Sequence, residues 1–434
     1  MNDPCLSPAM LQLREAHRAC IGTSIDTRDD LNGQMFWALK GPRFDANDFV
    51  AQALELGAQH VVTEDGMWEG HPKTTVVNDV LNAMQELARV VRQEWDCPVL
   101  GLTGSNGKTT TKELLRNVLA RRFDVHATQG NLNNHIGVPL TLLRAPAQPG
   151  FVIVEMGANH RGEIECLADI ALPTHGYITN IGRAHLEGFG GEEGVFLGKK
   201  ELFDHLKRHQ GQAFVQQGDP KTIRAASELT NTISVNTPLW TWTSPISSEA
   251  GGQIKGPNGE AFQVHLEGDY NLPNVVAAHT IGRAFDVKAS HIQEALTAYH
   301  SSNHRSQWMD TEHNQVVLDA YNANPTSVSH AVASFHARGH ASPVVVLGEM
   351  GELGTASAKA HAEAADKVLG LGIELVTMGD GFKASFQERP NASWKHFSDF
   401  EALKEHLKDH PMKARQVLVK GSRSAGLERI LPYL

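Results

Sequence analysis

Short runs of consecutive apolar residues, each closing on a glycine or a polar residue, alternate along the chain with stretches whose apolar positions recur every three or four residues. The first pattern predicts strands buried on both faces, and the second predicts helices laid over them. Runs at 99–102, 151–154, 177–179, 316–318, 344–347, 373–378 and 417–419 have the strand pattern, while Leu81, Met84, Leu87, Val90 and Val91 mark one face of a helix over 80–93. Such alternation predicts an α/β fold with mainly parallel sheets. It starts afresh twice, which divides the chain into 1–80, 81–300 and 301–434. The first part reads as a small α/β unit: a short β-like run, a turn at 29–33, a helix over 49–56 and a strand over 60–63. Within the second, Phe262, Val264 and Leu266 alternate with polar neighbours, predicting a few antiparallel strands, and the Gly, Pro and Ser crowded into 244–259 predict a loop. The third part predicts a doubly wound, Rossmann-like domain.

A length of 434 residues agrees with three domains at ~150 residues each. With 41% hydrophobic and 20% charged residues, the chain has enough apolar material for packed cores, which excludes a disordered chain. Its 39 Lys and Arg against 49 Asp and Glu leave a net charge of −10, so most of the surface repels polyanions. No nucleic-acid partner is expected; a small anion in a local basic pocket is still allowed. The four cysteines, Cys5, Cys20, Cys97 and Cys166, form no CxxC pair, which argues against a zinc knuckle or a disulfide framework and fits a reducing cytoplasm. The opening MNDPCLSPAM lacks a basic stretch followed by an apolar one, and no run of about 18 apolar residues occurs, so a cytoplasmic chain without an integral membrane segment is expected.

The sharpest chemical signal is GLTGSNGKTTTK at 101–112, after an apolar run and before a helix carrying Leu114, Leu115, Val118 and Leu119 on one face. A glycine-rich turn in that context is a phosphate cradle. Gly104, Ser105, Asn106, Gly107, Thr110 and their neighbours offer backbone N–H groups, Lys108 reaches terminal phosphates and Thr109 can ligate Mg²⁺. Strict Walker spacing asks for glycine at the position of Leu102, so this is a variant. Glu155 ends the next apolar run and His185 follows the third. Read alone, a strand-end Glu is a cap and a lone His is structural; their placement after successive strands suits a cation at the carboxyl edge of the sheet. Asn133 and Asn134 in NLNNHIGVP, and Asn271 and Asn274 in GDYNLPN, fit either turn and cap formation or amides beside a ligand base.

Together these stretches resemble the Mur ligases, ATP-dependent amide-forming enzymes of peptidoglycan synthesis, over nearly the whole chain. The similarity is carried by TGSNGKTTTKE, NLNNHIGVPLTLL, EMGANHRGEI, TNIGRAHLEGFG, DAYNANPTSV at 319–328, GEMGELG at 348–354 and VKGSRS at 419–424. The resemblance implies a UDP-sugar domain at 1–80, a central P-loop ATPase at 81–300 and a Rossmann-like domain at 301–434 that closes over the nucleotide. Within the family, YNANP implies the member that joins D-alanyl-D-alanine to UDP-N-acetylmuramoyl-tripeptide through an acyl phosphate, giving the pentapeptide precursor of peptidoglycan with ADP and phosphate. It implies ATP and Mg²⁺, with Thr109, Glu155 and His185 on the metal, Asn271 and Asn274 at adenine, Asp319 at ribose and Arg305 at the phosphates. Ser24, Thr27 and Arg28, with FWALKG at 36–41, fit the uridine nucleotide, and Asn133, Asn134, Asn322 and Asn324 are expected on the substrate side.

By the same resemblance, Lys199 is a carbamylated lysine that adds an anionic oxygen to the metal set, and Lys108, Lys199, His185 and Arg305 form the catalytic group. The neighbouring Lys200 leaves the choice of lysine open, since locally an unmodified surface lysine is the ordinary reading. The chain departs from the family pattern at 45–49, which lacks a usual histidine, at Tyr270, where a histidine often stands, and at Ala320, where a polar residue is frequent. A monomer is expected. The competing readings are a sibling ligase, of the Mur or folylpolyglutamate type, that adds an amino acid, and a nucleotide-switch binding protein; YNANP argues against the sibling ligases, and a need for both co-substrates would separate a ligase from a switch.

Overall fold

Val99–Thr103 is buried along its whole length because it lies in the middle of a parallel sheet. In the computed structural model, which describes residues 6–243, 251–301, 306–389 and 392–434, the six strands of this central sheet run in the order Thr232–Val235, Gln212–Gln216, His175–Ile178, Val99–Thr103, Phe151–Glu155 and Val125–Ala127. Alternate residues feed two cores: Val99, Val152, Val154, Ala213 and Val215 on one face, Leu100, Leu102, Phe151, Ile153 and Phe214 on the other. Helices Lys108–Leu119 and Leu272–Ala284 cover the second face, and Val80–Gln93, Glu163–Ala171 and Glu192–Arg208 the first. Later strands join on opposite sides of Val99–Thr103, so the winding reverses beside it and a crevice opens at the carboxyl ends.

The first sheet is also parallel, in the order Thr23–Ser24, Met35–Trp37, His60–Thr63, Thr74–Val76. One face of it, through Met35, Trp37 and Val62, shares a core with Val80–Gln93 and with the central sheet. An opening helix, Pro8–Arg18, which the sequence pattern does not predict, precedes the short β-run of Thr23–Ser24. Ser7 caps it, Met10 and Leu13 enter the shared core, and Arg14 and Arg18 pair with Glu94 at the end of Val80–Gln93. The helix expected over 49–56 is Val50–Glu55, preceded by a 3₁₀ turn at Ala46–Phe49.

Thr241–Thr243, Gly252–Lys255 and Ala261–Val264 form the antiparallel sheet. Gly252–Lys255 lies within the stretch read as a loop, of which 244–250 fall outside the described residues. Only Gly252 and Ile254 of that strand are buried, which is too little apolar signal to overrule its glycines. In the third sheet the order is Gln307–Asp310, Gln315–Asp319, Gln416–Lys420, Pro343–Gly348, Glu374–Met378, Trp394–Phe397, all parallel except the first, an antiparallel edge strand. Helices on both of its faces complete a three-domain α/β fold.

The third domain is pinned to the second by a buried ion pair: Arg338 donates to both carboxylate oxygens of Glu267, at 2.6 and 2.5 Å, and lies 5.0 Å from the Trp308 ring centroid. No helix among the described residues is long and apolar enough to cross a membrane.

Candidate active site

From Val99–Thr103 the chain turns through Gly104–Gly107 into helix Lys108–Leu119. Two glycines are sterically required: Gly104 has φ 144° and a Cβ there would stand 2.0 Å from Thr179 Oγ1, while Gly107 has φ 79° and its Cβ would stand 2.5 Å from Asn274 Oδ1. The neighbouring strand end holds the loop in shape. Asn180 accepts from Ser105 N on its carbonyl and from Asn106 N on Oδ1, both at 3.0 Å, and Thr179 Oγ1 donates to the Asn106 carbonyl at 2.6 Å. Lys108 folds back, its Nζ donating to the Gly104 carbonyl at 2.7 Å. In front of the loop is a cavity of about 1530 Å³, lined by the second and third domains. That exceeds the ~300–1,000 Å³ of a usual small-molecule site and offers room for more than one substrate.

Glu155 closes the strand beside the loop and is 1% exposed. Its Oε1 accepts from Thr109 Oγ1 at 3.2 Å and from Asn133 Nδ2 at 2.8 Å, whereas Oε2 is buried with no hydrogen-bond partner. An unmatched carboxylate oxygen in such surroundings is costly, and a hard cation at that point satisfies it. His185 lines the same cavity, with its Nδ1 hydrogen-bonded to Glu352 Oε2 of the third domain. That bond, foremost, holds the Glu352 carboxyl below the usual range.

Lys199 is not a surface lysine. It is 1% exposed on helix Glu192–Arg208, with its Nζ 3.3 Å from the carbonyl of Ala158, a residue of the cavity wall. Burial first, and then the charge of Lys108, push its amine well below the ordinary lysine range. Lys200 turns the other way and pairs with Asp204, so of the two adjacent lysines it is Lys199, the one expected from the resemblance, that lies against the cavity wall.

Asn271 occupies the N-cap position of Leu272–Ala284, but its side chain makes no cap bond. Its Nδ2 instead donates to the Glu267 carbonyl at 2.7 Å, and its Oδ1 accepts from Asn274 Nδ2 at 2.8 Å. Asn274 Oδ1 in turn accepts from Thr111 Oγ1 at 3.0 Å, which chains both buried amides to the P-loop helix on the cavity wall. Across the crevice, Lys420 Nζ donates to Asp319 Oδ2 at 2.6 Å and to the Asn322 carbonyl at 3.1 Å. Asn324 caps helix Pro325–Ala337 and also donates to Asn106 Oδ1 at 2.8 Å, joining the third domain to the P-loop. Tyr270, at the position where the family often has histidine, donates to or accepts from Ser306 Oγ at 2.6 Å on the same wall.

Arg305 falls outside the described residues. Ser24, Thr27 and Arg28 do not line the cavity: Ser24 Oγ donates to Asp29 at 2.5 Å, and the exposed Arg28 pairs with Asp26. Asn134 lines it, but its Oδ1 accepts from Ile136 N and Gly137 N at 3.2 and 2.8 Å, so turn formation engages that side chain. Asn180, Glu352 and Lys420 belong to the cavity although sequence reasoning singled out none of them as a site residue. Lys420 ends an apolar strand as Glu155 does, and the same rule finds it; Glu352 stands in GEMGELG, a stretch that carries the resemblance without singling out this glutamate.

A P-loop facing a second α/β domain across a large crevice, with oxygen donors beside the phosphate turn, places the chain in the class of nucleotide-binding proteins whose site lies between two domains. Two family descriptions match the chain, the Mur ligase middle domain at residues 102–282 and the Mur ligase, glutamate ligase domain at 304–423. The UDP-N-acetylmuramoyl-tripeptide–D-alanyl-D-alanine ligase of Bacillus subtilis is 33% identical over 429 residues, covering 95% of this chain and 93% of its own. The Escherichia coli ligase of the same name is 32% identical, over 98% of this chain and 95% of its own. The crystal structure of MurF from Acinetobacter baumannii superposes with a TM-score of 0.85 at 30% identity, covering 98% of this chain and 97% of that one. The chain belongs to the Mur ligase family, whose members depend on ATP and Mg²⁺.

Proposed function

We infer that the chain forms an amide bond between the terminal carboxylate of UDP-N-acetylmuramoyl-tripeptide and the amine of D-alanyl-D-alanine, at the expense of ATP. The observation that carries this reading is the full-length similarity to ligases of that activity, combined with a cavity that sets the phosphate cradle opposite the DAYNANP segment. We assign residues 1–80 to the UDP-sugar end of the substrate, 81–300 to ATP, and 301–434 to closure over both.

A carboxylate is a poor electrophile and repels the triphosphate it must attack. Lys108 and the N-terminus of helix Lys108–Leu119 place positive potential where that repulsion is greatest. The carboxylate oxygen bonds to the γ-phosphorus and ADP leaves, giving an acyl phosphate; the dipeptide amine then bonds to the carbonyl carbon, loses a proton, and phosphate departs. Lys108 stays beside the developing negative charge in both halves. Asn271 and Asn274 hold adenine and Asp319, fixed by Lys420, holds ribose. Closure of the third domain excludes water, whose attack would consume ATP without product.

Thr109, Glu155 and His185, with a carbamylated Lys199, would hold Mg²⁺, which supplies charge neutralisation next to the phosphates. Burial of Lys199 supports the carbamate: a neutral amine is the form that adds CO₂, and the product is an anionic oxygen ligand beside the P-loop. Phosphate release should require both the UDP-tripeptide and the dipeptide and should match pentapeptide one to one. Steady ATP hydrolysis with neither, or extension by a free amino acid instead of the dipeptide, would contradict the assignment.

A further inference from the structure

His185 and Glu352 face each other across the boundary between the second and third domains, and both are non-glycine residues with positive φ, 51° and 60°. Such conformations are uncommon and strained, and they persist where surrounding structure imposes them. Here the surroundings are in contact too: the Gly354–Ala356 turn of the third domain rests on helix Leu186–Phe189, close enough that a Cβ on Gly354 would lie 3.2 Å from Glu187 Cβ.

We propose that Glu352 is a positioning residue for His185, holding its Nδ1 so that Nε2 is presented to the cation, and that closure of the third domain thereby completes the metal site. The proposal rests on the reading of His185 as a metal ligand. A ligating imidazole ordinarily donates its second N–H to a carboxylate, which fixes tautomer and ring orientation. What is unusual is that the carboxylate arrives from another domain. Asp319, the ribose-side carboxylate, is already matched by Lys420, whereas Glu352 bonds to His185. With the Asn324 bond to Asn106, it makes the closed arrangement and the cation site mutually dependent.

The test is Mn²⁺ binding, followed by electron paramagnetic resonance in the presence of a non-hydrolysable ATP analogue, for the full chain and for His185→Ala, Glu352→Ala, Glu352→Gln and the double Ala variant. Melting temperatures report folding, and small-angle scattering reports closure. His185→Ala and Glu352→Ala should each weaken Mn²⁺ binding by about tenfold or more. The double variant should be no weaker than His185→Ala alone, and Glu352→Gln, whose amide oxygen still accepts, should keep most of the affinity. If His185→Ala weakens Mn²⁺ binding but Glu352→Ala does not, the positioning role is overturned while the metal reading stands. If Glu352→Ala changes compactness alone, or its loss adds to that of His185→Ala, the role is likewise overturned. If His185→Ala itself leaves Mn²⁺ binding unchanged, the metal reading falls and takes this one with it.

Discussion

Lys108 and Lys199 carry the same side chain and meet opposite fates because of where their helices place them. Lys108 faces the cavity, so its loss removes charge from the reaction more than contacts from a core. Lys108→Ala should lower kcat at least ~10²-fold, a loss typical of removing a charge-stabilising donor, with the melting temperature little changed. Lys199→Ala should also abolish turnover, and should remove a carbamate signal that ¹³C-bicarbonate gives by NMR in the parent protein; Lys200→Ala should keep both. An unchanged ¹³C spectrum in Lys199→Ala would contradict the carbamate. Glu155 and the P-loop were legible in the sequence because a polar residue ending an apolar strand has a fixed place in a parallel sheet. The burial of Lys199 was not, because it depends on which side of a long helix meets the wall behind Ala158.

At the scale of elements, the P-loop shows how a turn constrains composition. Gly107 and Gly70 have nearly the same φ, 79° and 78°, but a Cβ at Gly107 meets Asn274 while one at Gly70 meets nothing within 4 Å. Gly70→Ala should therefore cost only backbone strain, about 1 kcal/mol. Gly107→Ala should cost more and also weaken binding of an ATP analogue tenfold or more, as calorimetry would show; equal effects of the two changes would contradict the steric account. Elements with strong periodicity, such as Val80–Gln93 and His60–Thr63, were legible to the residue. Pro8–Arg18, Gly252–Lys255 and the edge strand Gln307–Asp310 were not, because each commits few apolar residues: the helix is held partly by Glu94, remote in sequence, and the two strands by pairing with near neighbours whose pattern is equally sparse or polar at the turn.

Across the whole molecule, the buried Arg338–Glu267 pair ties the third domain to the second. Removing one partner leaves a buried charge, so Arg338→Met should destabilise by ~3–5 kcal/mol, and adding Glu267→Leu should recover much of it. Urea unfolding measures both; additive losses would contradict the pairing. Acid should weaken the fold as well. Burial lowers His175, His205 and His340 to about 4, whereas the unfolded chain titrates near 6.5. Between those values the unfolded state binds more protons, so stability rises with pH through that window and is lost as pH falls from about 6.5 toward 4. The urea midpoint should drop between pH 7 and pH 5, and His175→Gln should flatten the slope. The central claim is that a peptide carboxylate is activated on the γ-phosphate held by the P-loop, and ¹⁸O in that carboxylate tests it most directly. One labelled oxygen should appear in each phosphate released as the pentapeptide forms; unlabelled phosphate alongside normal product would contradict it.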